Sequence, residues 1–493
     1  SSQTSATTPP QNFPSDQFIF YATSIGLVGY IYRAEKTIKP SHPNHDLPDF
    51  DADLEKDDVW NLLEDTTRGN LSKFVIKFQI LNLFLFLFLL PLCAKELPHQ
   101  PLPVGKPEDV GMSSETLARI DPAVENLIEK KRLAGGSIIV LRKGHIVYQK
   151  QFGLANRTEK KNVKKDTLFR IYSMTKGITS AAAMMLFNEG KLDLDDPISK
   201  HLPEFKNLTV WKKNGNPVPA KPAPTIRDLL RHTAGFSYGW SRHPVDAFYK
   251  KAQPLSRNKS LAEMIQAIAN APLLYQPGTQ WVYGINTDIL ARVVEVASGK
   301  TFENFLQSRF FTPLGMPDTG FHVPAEKAHR LADVFGGGAG LLVTTEPGKD
   351  SQFLQQPAHQ SGGGGLVSTI NDYARFLQMI ANGGIFQGKR YLKEETVKLM
   401  TTNQLPDQIP AISLGETRHG TGFGLGFSVR TASDKRWAPD SVIGEYGWGG
   451  MASTHYWISP KHDLIVVTME QTLPYNWNLE QAVKPIVYQA LKN

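Results

Sequence analysis

The sequence is poor in cysteine: its 493 residues contain only Cys93. A single cysteine excludes an intrachain disulfide, so packing and hydrogen bonds have to hold the fold together. Charged residues make up 20% of the chain, and the formal net charge of +7 is modest for this length. Hydrophobic residues make up 41%, a proportion typical of a globular protein with a buried core.

Motifs for nucleic acids, nucleotides and metals are also missing. The sequence has no Lys/Arg-rich run, zinc-finger spacing or RNA-binding aromatic signature, which argues against nucleic-acid binding. The glycine clusters at 336–338 and 362–365 lack the Gly-x-Gly-x-x-Gly spacing and a Gly-Lys-Ser/Thr ending. His232 and His455 belong to no metal-ligand pattern. We therefore expect no nucleic-acid partner, no metal and no cofactor.

The N-terminal part differs in composition from the rest. Residues 1–17 are rich in Ser, Thr and Pro, and residues 40–65 are acidic with little periodicity. Segments of this composition bury too little apolar surface to offset the entropy lost on folding. We therefore expect residues 1–73 to form a poorly ordered extension.

An apolar segment lies at 74–94. Its apolar core is shorter than the roughly 20 residues of a membrane-spanning helix and fits the central region of a secretory signal. We expect this segment to direct export to the periplasm or the exterior, with a retained membrane anchor as the alternative. Because no Met precedes Met112, we also expect translation to begin near Leu71 or Val75, at a non-ATG codon.

The rest of the chain combines strand and helix patterns. Alternating β-branched runs around a Lys-Gly turn predict a hairpin at 135–153, and a similar pattern recurs at 453–471. The 3.6-residue periodicity of helices is found at 115–132, 261–274, 287–300, 370–384 and 478–493.

These patterns predict one domain over 104–493 with an α/β (α+β) fold. Strands lie towards both ends of this domain, so we expect an antiparallel sheet built from about 104–165 and 420–493. Helices would flank the sheet, and the region between, about 170–415, would form an inserted helical subdomain. A cleft between the sheet and the helical region is the expected place for a site.

The tetrad Ser173-Met174-Thr175-Lys176 opens an apolar helical stretch. Positions three apart lie on one helix face, so Lys176 would stand beside the Ser173 hydroxyl. A serine needs a nearby base to act as a nucleophile, and lysine serves as one only where burial or positive charge lowers its pKa. The spacing alone is weak evidence, because Ser-x-x-Lys recurs at Ser256 and Lys259 in a polar stretch that we interpret as a solvated loop.

Five segments, in order, resemble serine β-lactamase-like and penicillin-binding-protein-like hydrolases. They cover 168–205, 225–236, 280–300, 361–384 and 446–460. The resemblance spans about 105–493 and is greatest for the class C-related branch, closest to the family VIII carboxylesterases. It implies the β-lactamase/transpeptidase-like fold. The Gly-x-Ser-x-Gly turn of the α/β-hydrolases is absent.

The resemblance also implies roles for particular residues. Ser173 would attack an acyl carbonyl and form an acyl-enzyme, while Lys176 and Tyr283 would share the proton transfers. Which of the two is the formal base stays open. The backbone N–H groups of Ser173 and Met451 would form the oxyanion hole.

Two departures from the family pattern bear on the substrate. Trp448-Gly449-Gly450 stands where β-lactamases and penicillin-binding proteins usually have Lys-Thr-Gly, so the cation that holds a substrate carboxylate is missing. Ile285 stands where those enzymes usually have an asparagine amide, with Asn286 one place later. Both departures favour a neutral ester over a β-lactam, because a lost charge-assisted contact costs about 1.5–3 kcal/mol.

We therefore predict a carboxylesterase acting on short-chain esters, with Trp448, Gly449, Gly450 and Ile285 as substrate-binding residues. A β-lactamase or D-amino-acid peptidase of the same fold is the first alternative. A catalytically silent binding or scaffolding protein is the second, and the intact set of Ser173 with its two partners argues against it. The sequence does not indicate an oligomeric state.

Overall fold

The computed structural model describes residues 100–213, 215–337, 340–434, 436 and 440–492. The extension predicted over 1–73 and the apolar segment at 74–94 lie outside this part of the chain. From Pro98 onward the chain forms one compact unit. Within the described ranges, no helix is both long enough and apolar enough to cross a bilayer.

An eight-stranded antiparallel sheet lies at the centre of the described residues. Its strands are β1 (Gly135–Arg142), β2 (His145–Asn156), β3 (Lys161–Asn162), β4 (Thr421–Phe423), β5 (Ser428–Arg430), β6 (Tyr446–Gly450), β7 (Thr454–Ser459) and β8 (Leu464–Glu470). Their spatial order is β4-β5-β6-β7-β8-β1-β2-β3. Both predicted hairpins are present, as β1–β2 and β7–β8, and the two ends of the chain meet where β1 pairs with β8.

Helices surround this sheet and fill the chain between β3 and β4. The α-helices are α1 (Ser114–Ala118), α2 (Ile120–Glu129), α3 (Thr175–Asn188), α4 (Ile226–Leu230), α5 (Asp246–Ala252), α6 (Leu261–Ile268), α7 (Asn286–Ser298), α8 (Phe302–Leu306), α9 (Thr312–Leu314), α10 (Ile370–Ala381), α11 (Glu394–Thr401) and α12 (Asn478–Gln489). A π-helical turn at Gln307–Phe311 joins α8 to α9. The 3₁₀ turns are Pro107–Val110, Tyr172–Met174, Ile198–Lys200, Pro203–Phe205, Ala325–Arg330, Gly348–Asp350, Gln352–Leu354 and Pro460–His462.

The helical region also contains short strand pairs that the helical periodicity did not predict. They are Phe169–Arg170 with Val367–Ser368, Thr209–Val210 with Val218–Pro219, Ile385–Phe386 with Lys389–Arg390, and Ser413–Leu414 with Glu416–Thr417. A further small sheet joins Val334–Gly336 to Val343–Glu346 and Thr472–Leu473. Each run is shorter than the window over which a periodicity can be recognised.

The central sheet is buried on both faces, as the alternation along β1 shows. Ile139 and Leu141 belong to the larger hydrophobic core, where α3, α7 and α10 lie. Ile138 and Val140 face the other way, into a second core formed with α2 and α12. Successive side chains of a strand point to opposite faces, so an uninterrupted apolar run such as β1 fits a sheet covered by helices on both sides.

Helix α3 lies deep inside the larger core: twelve of its fourteen residues are buried. A helix that is apolar on every side belongs in the interior, and small residues such as Ala181, Ala182 and Ala183 allow close packing there. The N-terminus of α3 therefore presents Ser173 and Lys176 from a fixed element of the core. This rigid support is what a reactive constellation needs.

Candidate active site

Ser173 lies in the 3₁₀ turn Tyr172–Met174, directly before α3. The residue before it, Tyr172, has a φ of 41°, a conformation that costs a non-glycine residue energy and clusters at functional sites. The flanking backbone is fixed, because the Ile171 N–H donates to the Leu366 carbonyl at 3.0 Å. The chain thus bends sharply just before the serine and holds it at the edge of a cavity.

Lys176 is buried, with 1% of its surface exposed. Its Nζ lies 3.2 Å from Ser173 Oγ and donates a short hydrogen bond to the Gly363 carbonyl. The same nitrogen lies 4.8 Å from the centre of the Tyr283 ring and 5.5 Å from that of Tyr238. One turn of helix is enough to bring the amine to the serine, as the spacing predicted.

The Tyr283 hydroxyl lies 2.7 Å from Ser173 Oγ. Its ring is fixed by neighbouring rings: that of Trp281 is stacked on it at 5.8 Å, and that of Tyr238 meets it edge-on at 5.4 Å. Ser173 Oγ is therefore within hydrogen-bond reach of both Lys176 and Tyr283. The structure brings together all three residues that the sequence assigned to the chemistry.

Trp448 lies in β6, opposite Tyr456 of β7. Its indole Nε1 lies 3.4 Å from the Tyr283 hydroxyl, and the two rings are 5.5 Å apart. The indole N–H donor is thus directed at the Tyr283 oxygen, a contact that the sequence did not reveal. An N–H donor at this oxygen stabilises negative charge on it more than it stabilises the neutral phenol.

The two glycines after Trp448 permit close approach of β6 to neighbouring chain. A Cβ on Gly450 would lie 2.3 Å from the Ile171 carbonyl oxygen, and one on Gly449 would lie 2.9 Å from the His455 ring. Neither position has room for a side chain. Met451 follows at the cavity rim with 43% of its surface exposed, and Ser173 and Met451 both line the cavity. Their pairing as an oxyanion hole stays a prediction.

Ile285 requires a correction. It is fully buried in the larger core and is not among the described residues that line the cavity, so the expectation that it contacts substrate is wrong. The neighbouring Asn286 does not replace the family amide either. Asn286 is 0% exposed and directs its Nδ2 to His232 Nδ1 at 3.0 Å. Ile285 is the N-cap of α7 and Asn286 is its first residue, and both side chains are buried.

The ring of His232 packs against the ring of Tyr283. The two ring centres lie 5.2 Å apart, and 1% of the His232 surface is exposed. Burial, together with the positive charge of Lys176, lowers the pKa of His232 well below its usual range. The histidine is therefore neutral and accepts the Asn286 hydrogen bond at Nδ1.

A buried acid, Asp288, organises the loop that receives Lys176. Its Oδ1 accepts hydrogen bonds from Ser361 Oγ at 2.5 Å and from the Gly363 N–H at 3.0 Å, and His359 Nε2 lies 3.8 Å away. A Cβ on Gly363 would lie 2.3 Å from Asp288 Oδ2, so only glycine fits. Burial opposes the charge of Asp288, but His359, Lys176 and Ser361 together outweigh it and lower the pKa of the carboxyl below its ordinary value.

Sequence reasoning missed this arrangement, although the chain carried a signal for it. A run of four glycines such as 362–365 allows a close backbone approach, but it does not reveal the partner. Asp288, near the start of a helix, is equally typical of an acid that interacts with the helix dipole.

The cavity beside Ser173 has a volume of about 880 Å³. Aromatic side chains line much of it, including Tyr238, Trp240, Phe353 and Trp448. Among the described residues, no group of three or more His, Cys, Asp and Glu is arranged to hold a metal ion. The cavity is large enough for an organic ester, and Ser173 is among the residues that line it.

Comparison with known proteins shows the family of the chain. The family model described as Beta-lactamase matches residues 120–486. The chain belongs to the beta-lactamase family. Both the resemblance and the fold class predicted from the sequence are thereby confirmed.

The chain is also similar to individual proteins, two of which are named as an esterase or a hydrolase. Protein Rv1367c of Mycobacterium tuberculosis is 31% identical over 374 residues, which cover 71% of this chain and 89% of that protein. Esterase EstB of Burkholderia gladioli is 29% identical over 378 residues, which cover 72% and 90%. The solved structure of EstCE1, a hydrolase with promiscuous acyltransferase activity, is 25% identical with a TM-score of 0.66 and covers 76% of this chain and 99% of that one.

Proposed function

We propose that this beta-lactamase family member is a serine carboxylesterase that acts through an acyl-enzyme. The observation that carries the proposal is the contact of Ser173 Oγ with both Lys176 Nζ, at 3.2 Å, and the Tyr283 hydroxyl, at 2.7 Å. The names of EstB, an esterase, and EstCE1, a hydrolase, support it. The finer assignment to the family VIII carboxylesterases rests on the Trp-Gly-Gly sequence at 448–450.

The geometry suggests how the reaction proceeds. Ser173 Oγ attacks the ester carbonyl carbon while its proton passes to the basic member of the Lys176–Tyr283 pair, either the unprotonated amine or the phenolate. The proton then moves to the leaving alkoxide, and the alcohol departs. A water molecule attacks the acyl-enzyme by the same route in reverse and regenerates the serine hydroxyl. Backbone N–H groups at Ser173 and Met451 would stabilise the oxyanion in each half-reaction.

A β-lactamase or D-amino-acid peptidase of the same family is the second candidate, favoured by the description of the family model itself. The described β6 argues against it, because Trp448 supplies an uncharged indole where the substrate carboxylate would be held. We further propose that the protein is exported through the segment at 74–94, which also leaves a membrane association open.

The test compares hydrolysis of p-nitrophenyl butyrate and nitrocefin by the wild type and by Ser173→Ala. Ser256→Ala is a matched control, because it changes the serine of the second Ser-x-x-Lys tetrad. We expect ester turnover that is lost only in Ser173→Ala, with slow nitrocefin turnover. Efficient nitrocefin hydrolysis would favour the β-lactamase. No turnover of either substrate and no labelling by a fluorophosphonate would refute the enzyme proposal.

A further inference from the structure

Arginines of the described chain line the cavity at four positions, and three of these have acidic neighbours. The four are Arg257, Arg418, Arg430 and Arg436. Arg436 Nη2 lies 2.9 Å from Glu416 Oε2. Burial lowers the pKa of Arg418 and of Arg430, and nearby carboxylates, Glu480 for the first and Glu445 for the second, oppose that shift. These three cations are therefore compensated within the protein.

Arg257 differs from the other three. Burial lowers the pKa of its guanidinium, and no carboxylate of the described chain opposes the shift. Its Nη2 donates to the Gln355 carbonyl at 2.8 Å, and its guanidinium lies 5.0 Å from the centre of the Phe353 ring. The Arg257 side chain thus contacts one carbonyl and one aromatic face. No carboxylate of the described chain provides a counter-charge for this half-buried cation.

Arg257 lines the same cavity as Ser173. Its own carbonyl accepts hydrogen bonds from the Ala358 and His359 N–H groups at 2.9 and 3.1 Å, which ties it to the segment leading to the Ser361–Gly363 loop. The Phe353 ring beneath it contacts the Tyr172 ring at 5.9 Å, and Tyr172 immediately precedes the nucleophile. Two ring contacts therefore connect the guanidinium to the reacting serine.

We propose that Arg257 forms an anion subsite that binds a carboxylate carried by the ester substrate. A guanidinium recognises a carboxylate through paired hydrogen bonds, and a desolvated cation gains most from a ligand that supplies the missing charge. The cation absent from β6 at Trp448 would thus be supplied from another wall of the cavity. The inference rests on the proposed esterase function, and it replaces the expected neutral substrate by an anionic one.

The test uses two pairs of esters that differ only in one charge. The first pair places the carboxylate in the acyl part: p-nitrophenyl hydrogen adipate against methyl p-nitrophenyl adipate. The second places it in the alcohol part: 4-acetoxybenzoate against methyl 4-acetoxybenzoate. The ratio of kcat/KM within each pair is measured for the wild type, Arg257→Gln and Arg257→Lys. Arg436→Gln is the matched control, because Arg436 lines the same cavity but is paired with Glu416.

We expect the wild type to prefer the charged ester in at least one pair by about 10- to 100-fold, the range of a charge-assisted hydrogen bond. Arg257→Gln should abolish that preference, Arg257→Lys should keep part of it, and Arg436→Gln should leave it unchanged. Equal rates within both pairs, or a preference that survives Arg257→Gln, would overturn the proposal.

A binding measurement separates the subsite from the esterase function. In the Ser173→Ala background, calorimetry compares the affinity for the charged and the capped ester of each pair, without turnover. If no ester is hydrolysed but the charged probe still binds more tightly through Arg257, the subsite stands and the esterase assignment fails. If hydrolysis occurs without any charge preference in rate or binding, the subsite fails alone.

Discussion

Two lysines of the described chain are buried, and the protein holds them by opposite means. Lys176 and Lys484 are 1% and 8% exposed. Lys484 forms ion pairs with Glu445 and, at 3.5 Å, with Glu480, and its Nζ lies 4.8 Å from the Trp457 ring. The amine of Lys176 instead meets a hydroxyl, a carbonyl and aromatic rings.

The difference separates a cation held by carboxylates from one held by neutral groups. A buried ion pair satisfies its own charge, and breaking it leaves an uncompensated partner in the core. Around Lys176 the contacts are neutral, and the acid in this region, Asp288, reaches it through the backbone of Gly363. The nitrogen therefore remains within reach of the serine hydroxyl, where it can take part in proton transfer.

The largest expected effect comes from Lys176→Met compared with Lys484→Met. Lys176→Met should lower kcat/KM for p-nitrophenyl butyrate by about 10³-fold or more, because a positioned acid–base group is lost, while the free energy of unfolding changes little. Lys484→Met should reduce the free energy of unfolding by about 3–5 kcal/mol, because the buried Glu445 loses its ion-pair partner. Its activity per active site, counted by fluorophosphonate labelling, should stay within a few-fold of the wild type.

Urea unfolding and ester kinetics on the same two variants test the contrast directly. The opposite result, with Lys484→Met inactive per labelled site and Lys176→Met unstable but active, would contradict the roles assigned to the two lysines. The double variant Lys484→Met with Glu445→Leu should recover part of the lost stability, because both members of the buried ion pair are then removed together.

The contact between Ser173 and Lys176 could be predicted from the sequence because local geometry places the two residues side by side. Ser173 and Lys176 are one helical turn apart, and the hairpin that precedes them is indicated by β-branched runs on either side of a Lys-Gly turn. Tyr283 followed from the family pattern alone. The fold class was also predictable, because strand patterns at both ends of the domain have few ways to form one sheet except by pairing with each other.

The contacts that position Lys176 could not be predicted, because they join segments far apart in the chain. Asp288 and Gly363 meet only once α7 and the glycine run are packed together. Ile285 was wrongly predicted to contact substrate, because a shift of one position at the start of a helix decides whether a side chain faces the cavity or the core. Arg257 was overlooked because its polar, Pro-containing surroundings are typical of a solvated loop, whereas the structure folds that loop over Phe353.

The second prediction concerns how Lys176 is positioned. Asp288→Asn removes the charge that holds the Gly363 N–H and the Ser361 hydroxyl, so the carbonyl that receives Lys176 is expected to shift. We expect kcat to fall by about 10- to 100-fold with KM little changed, the signature of lost positioning in the transition state. The pH profile of kcat should also move, because a full negative charge near Lys176 is gone.

Asp372→Asn is the matched control, since Asp372 is 5% exposed and also accepts hydrogen bonds, but from Thr319 and the Asp318 N–H. This variant should leave the pH profile of kcat unchanged. If both variants lose activity without any change in that profile, Asp288 acts only as a structural residue.

The smallest effect concerns Glu470, a buried group of the described chain that has no cation beside it. Its Oε1 lacks a hydrogen-bond partner among the described residues, and burial raises its pKa from 4.5 to about 8. Between these pH values the folded protein keeps a proton that the unfolded chain has released. The stability contributed by the neutral carboxyl is therefore complete below about pH 4.5 and is lost as the pH rises towards 8.

Glu470→Gln keeps the size of the side chain but has no proton to lose, so its stability should depend less on pH. Each unit of pKa difference corresponds to about 1.4 kcal/mol, and water entering around the ionised group reduces the total to on the order of 2 kcal/mol. Urea unfolding at pH 5 and pH 8 should show the variant gaining that amount relative to the wild type. Glu326→Gln, at an exposed position, should gain nothing. An equal pH dependence in wild type and Glu470→Gln would mean that Glu470 is compensated, as Lys484 is, rather than kept neutral by burial.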